Sequence, residues 1–175
     1  MTAPETGDDT GAPHELVLSR TIPISRQAVF RAWTDPTLLM RWFAPQPWTT
    51  VEAELDVRTG GGSRVVMQSP EGEAIPVQGV FLEVVPDRKI VTTDAYERPW
   101  VPSAKPFFTM VLTLEDAAEG GTLYTARALH WTEEDRRSHE DMGFHAGWGQ
   151  CLDQLVEVMQ AEARGDAPGM GAAGA

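Results

Sequence analysis

Between Trp48 and Trp131 the chain is a succession of short apolar runs separated by glycine and proline turns, with no helical pattern between them. In WTTVEAELDV, Val51, Ala53, Leu55 and Val57 alternate with Glu52, Glu54 and Asp56, the period of a strand with one dry and one wet face. Gly60-Gly61-Gly62 turns the chain into SRVVMQS, Pro70-Glu71-Gly72 turns it into PVQGVFLEVV, and Pro86-Asp87 ends that run. KIVTTDAY, PFFTMVLTLE and, after Glu119-Gly120-Gly121, TLYTARALHW read as further strands. Connections this short join antiparallel neighbours, because a parallel sheet needs long crossovers that are missing here.

The flanking segments supply what covers such a sheet. ELVLSRTI, after His14 and bounded by Pro23, is a first strand. Ser25 stands as N-cap before RQAVFRAW, where Val29, Phe30 and Trp33 recur at helical spacing. Asp35-Pro36 opens a second short helix, TLLMRWF, which stops before Pro45. From Thr132, with Glu133, Glu134 and Asp135 in the first turn, a helix is expected to about Ala163, roughly 45 Å if unbroken. Met142, Trp148, Leu152, Leu155, Val156 and Met159 form its apolar stripe.

Gly143, Gly147 and Gly149 each cost that helix about 1 kcal/mol relative to alanine. Close packing against the sheet is the expected compensation, ahead of a ligand-shaped gap and of a break at Gly143. The fold expected is α+β: a curved antiparallel sheet of about seven strands around a long C-terminal helix, with two short helices after strand 1. Residues 14–163 form that domain. Residues 1–13 and 164–175, poor in large apolar groups, read as a disordered N-terminal tail and a flexible C-terminal tail.

Charge and motif content exclude several functions. With 14 Lys+Arg against 26 Asp+Glu the net charge is −12, which opposes binding to nucleic acid or an anionic membrane. No apolar run reaches the roughly 18 residues of a membrane span, and the N-terminus has no basic region followed by an apolar one, so a soluble, cytoplasmic protein is expected. There is no Gly-x-Ser-x-Gly elbow or phosphate-binding loop. The single cysteine, Cys151, sits on the last helix without a basic neighbour in sequence and reads as inert. His139-Glu140 begins like a zinc-protease motif, but position 143 is glycine. His139 and His145 lie about 240° apart around a helix, so no metal site is expected, and no cofactor.

The chemistry that remains is that of a pocket. By the strand period, Phe108, Met110, Leu112 and Leu114 share one face, and Tyr124, Ala126, Ala128 and His130 share another. Ala126 and Ala128 suggest room beside the helix, and Trp33, Trp42, Phe43 and Trp48 suit the walls of an opening. The candidate ligand contacts are therefore Trp33, Trp42, Phe43, Trp48, Phe108, Met110, Tyr124, His130 and Trp148, with ordinary core packing as the alternative for each. No catalytic residue is assigned.

The order of elements resembles the helix-grip fold of the START-like, or SRPBCC, superfamily. FRAWTDPTLLMRWFAP, GVFLEVVPDRKIVTTDA, GGTLYTA and MGFHAGWGQCLDQL resemble one branch of it, the homologues of the C-terminal domain of the heat-shock-protein-90 ATPase activator, over roughly residues 14 to 160. The resemblance implies a small hydrophobic ligand, lipid-like, aromatic or polyketide-type, held between sheet and C-terminal helix. A second reading is a cyclase- or aromatase-like enzyme that uses Tyr124 and His130 as polar groups in the same cavity. A co-chaperone-type interaction module of a stress response, with a chaperone partner, stands third. Trp100, between Pro99 and Pro102, is open as a loop tip, a pocket lid or a homodimer contact.

Overall fold

The computed structural model describes residues 12–166. β1 (Glu15–Ile22) leads into α1 (Arg26–Thr34), whose N-cap Ser25 accepts a hydrogen bond from Ala28 N at 3.2 Å. Asp35 closes α1 and caps α2 (Pro36–Leu39), accepting from Thr37 N and Leu38 N. Helix α2 is shorter than TLLMRWF suggests. Past Leu39 the backbone tightens to i→i−3 bonds, Arg41 N to Leu38 O and Trp42 N to Leu39 O, while the Trp42 indole donates to Ala32 O at 3.1 Å.

The strands β2 (Thr49–Leu55), β3 (Gly62–Gln68), β4 (Ala74–Val85), β5 (Lys89–Thr93), β8 (Phe108–Asp116) and β9 (Thr122–His130) join β1 in one antiparallel sheet of seven, ordered β1-β9-β8-β5-β4-β3-β2. KIVTTDAY does not stay one strand. It divides at Asp94, and β6 (Tyr96–Arg98) pairs with β7 (Val101–Pro102) in a separate ribbon with Trp100 at its tip, 81% exposed. The pairing also corrects one face. A bulge between Thr50 and Glu52 turns Val51 out to solvent and Thr50 in, while Ala53 and Leu55 keep their expected inward side.

The expected single terminal helix is two. α3 (Glu133–Asp141) starts on Thr132, which accepts from Asp135 N at 3.1 Å, and α4 (Phe144–Arg164) follows. Gly143 between them has φ 90°, a left-handed conformation that interrupts the helical bond ladder and that glycine adopts without a Cβ penalty. The break turns Met142 away from the stripe to which the pattern assigns it, and the side chain is 67% exposed. From Leu152 onward α4 packs tightly: Leu152, Leu155 and Met159 are buried with Val29, Ala32, Leu112 and Leu114. Ala126 and Ala128 are completely buried in that packing and leave no room, contrary to the expectation from their size. The expected tails fall almost wholly outside the described residues. No helix among those residues is long and apolar enough to cross a membrane.

Candidate functional site

Space opens where the first turns of α4 stand off the concave face of the sheet. The cavity is about 410 Å³, walled by apolar groups of β2 to β5, β8 and β9, by the α1–α2 region and by the α3–α4 joint. At one end Trp33, Trp42 and Phe43 form an edge-to-face cluster with ring centroids 4.8 to 6.3 Å apart. At the other, Trp148 stacks at an angle on Phe108 and Phe144, 5.8 and 4.6 Å away. Between them Met110 and Tyr124 contribute from the floor. A Cβ built on Gly147 would meet nothing within 4 Å, so this wall residue gives the cavity volume that any larger side chain would occupy. The close packing expected of Gly147 is absent.

Seven of the nine candidate contacts, Trp33, Trp42, Phe43, Phe108, Met110, Tyr124 and Trp148, line this one cavity. Trp48, half-buried beyond Pro45, is not part of the wall. His130 is also outside it, and both of its ring nitrogens are occupied: Nδ1 lies 2.9 Å from His14 O and Nε2 lies 2.9 Å from His139 Nδ1. The histidine on the wall is His139. Sequence reasoning treated it only as a failed metal motif, because its inward direction depends on the break after α3. Trp100 is not among the lining residues.

The polar groups of the wall differ in what they have left to offer. Asp94 accepts from Phe107 N and Phe108 N at 2.9 and 3.2 Å, which anchors the start of β8, and burial raises its carboxyl pKa against those bonds. Thr93 Oγ1 is paired with Thr109 Oγ1 at 2.8 Å. Cys151 Sγ donates to Phe43 O at 3.3 Å, and burial pushes its thiol up to about 11, so it holds a proton at neutral pH. Burial also raises the Tyr124 hydroxyl well above its ordinary range, which keeps it an O–H. The Trp33 indole N–H comes near enough to Tyr124 to oppose that shift, yet it lacks hydrogen-bond geometry to any partner among the described residues and is buried. His139 is held down at about 4, first by burial and then by His130, and is a neutral imidazole at pH 7. No group of three or more metal-ligating side chains occurs among the described residues.

This is an apolar chamber with a few fixed donors and acceptors, suited to holding an uncharged guest. Comparisons with known proteins agree on the architecture. The family model described as activator of Hsp90 ATPase homolog 1-like protein matches residues 23–160. A crystal structure of a protein from Nitrosomonas europaea is 39% identical, with TM-score 0.82, covering 86% of this chain and 96% of that one. A protein of Rhodobacter sphaeroides, 20% identical, has TM-score 0.75 over 86% of this chain and 96% of its own. An AHSA1-like protein of Aeromonas hydrophila, 19% identical, has TM-score 0.65 over 90% and 98%. A search of curated proteins finds no match.

Proposed function

We propose that this chain, which belongs to the activator of Hsp90 ATPase homolog 1-like family, binds a small, uncharged hydrophobic molecule between its sheet and the first turns of α4. The observation that carries this reading is the unfilled space at Gly147, inside a wall of aromatic side chains from both ends of the fold. A core selected only for packing would fill such a volume, because each lost methylene of contact lowers stability. Trp33, Phe43, Phe108 and Trp148 retain accessible surface although they line the interior, as walls of a hollow do. A volume of about 410 Å³ lies in the range of small-ligand sites.

The same chamber would serve an enzyme, with His139, which lines the wall where His130 does not, as its acid–base group. Binding is the more economical reading, since the three groups best suited to proton transfer, His139, Tyr124 and Cys151, are each held in the neutral form by burial. Titration with a neutral fluorescent probe, N-phenylnaphthylamine, tests the proposal. The folded chain takes up the probe, and Gly147→Leu, which places a side chain in the void, weakens uptake at least about tenfold while thermal stability is kept. No uptake by the parent chain, or undiminished uptake by the variant, would overturn the reading.

A further inference from the structure

The relay behind the cavity wall determines which kind of guest the wall is built to receive. A backbone carbonyl can only accept, so the 2.9 Å contact to His14 O places the hydrogen of His130 on Nδ1. A neutral imidazole that carries its hydrogen on Nδ1 presents a lone pair at Nε2, and the 2.9 Å contact from that atom of His130 then places the hydrogen of His139 on Nδ1. The remaining nitrogen, His139 Nε2, is left as an acceptor with no partner among the described residues. His139 is 7% exposed and belongs to the cavity wall. Its ring stands among Phe108, Phe144 and Trp148, with centroids 5.1, 5.1 and 5.7 Å away, and no hydrogen bond reaches Nε2 from the described residues.

A guest that donates to this unpartnered acceptor gains a hydrogen bond in largely apolar surroundings, where such a bond is strong. The tautomer is set from outside the cavity, so the acceptor is in place before any guest arrives. We propose that the ligand is a hydroxylated aromatic molecule whose O–H donates to Nε2 of His139 while its ring lies against Phe108 and Trp148. This rests on the reading that the cavity is a binding site, and it adds the functional group. Among apolar molecules of similar size the site prefers those with a hydroxyl at the α3–α4 end.

The test uses three probes of nearly one size, naphthol, its methyl ether and naphthalene, titrated calorimetrically into the full chain at pH 7.5. Naphthol is expected to bind about tenfold more tightly than the ether, the effect of one hydrogen bond inside a largely apolar cavity. In His139→Phe that ratio falls to about one while the ether still binds. Should the variant fail to fold, nitrogen-15 spectra of the parent chain answer the same question. The His139 Nε2 resonance is of the unprotonated type, and it moves on addition of naphthol but not of the ether. Equal affinities for naphthol and ether in the parent chain, or a preference that survives His139→Phe, overturns this inference and leaves cavity binding standing. Failure of all three probes to bind overturns both.

Discussion

His139 joins the cavity, the fold and the solution pH in one side chain. Unfolded, its imidazole titrates near 6.5; folded, burial and the neighbouring His130 hold it at about 4. Between those values the unfolded chain takes up a proton that the native protein refuses, so stability falls as the pH drops from about 6.5 to about 4 and stops falling on this account below that. The effect is confined to that window. Urea midpoints measured across it should fall in the parent chain and flatten in His139→Phe; an equal slope in the variant would assign the pH dependence to other groups. Glu133 behaves differently. Arg136, His14 and Arg137 hold its carboxyl down at about 2, so its contribution is lost as pH falls through 4.5 toward 2, a lower window that His139→Phe leaves in place.

At the scale of elements, the divided terminal helix is what builds the site. The three acidic residues of the first turn of α3, the Thr132 cap and the amphipathic stripe of α4 are all readable as pattern, and each forms where expected. The helical period runs through residues 142 to 144 without marking a stop, since a lone glycine is tolerated in a helix and equally serves a left-handed joint. Only the packing of Phe144 beside Leu16 and Ala128 selects the joint. Gly143→Ala puts a Cβ on a residue at φ 90° and should lower stability by about 1–2 kcal/mol, seen as an earlier urea midpoint. A neutral result would mean that α3 and α4 can run on as one helix. The bulge at Val51 escaped the pattern for a related reason: the period of a strand survives on each side of an inserted residue, but its phase does not.

For the whole molecule, α4 divides the interior into a filled half and a hollow half. Its C-terminal turns seal Leu155 and Met159 against α1 and the floor of β8 and β9, whereas Gly147, Trp148, Cys151 and Leu152 border the chamber. Truncation in the filled half should be costly. Leu155→Ala removes a fully buried side chain and is expected to destabilise by about 2–5 kcal/mol in chemical denaturation while parent-like probe binding persists below the transition. A loss below about 1 kcal/mol would show that this half is not close-packed.

The amino-acid sequence by itself determined the strands of the main sheet, the caps at Ser25, Asp35 and Thr132, the apolar faces of β8 and β9, and so the α+β architecture, because periodicity and capping are local properties. It also picked out most of the aromatic wall, since large apolar groups on known faces must point inward. Tertiary structure alone decided that Ala126 and Ala128 are sealed while Gly147 is open, that His139 and not His130 reaches the cavity, and that Trp48 stays outside. Those outcomes depend on how far one element stands from another and on which nitrogen a distant carbonyl engages, distances that no local pattern encodes.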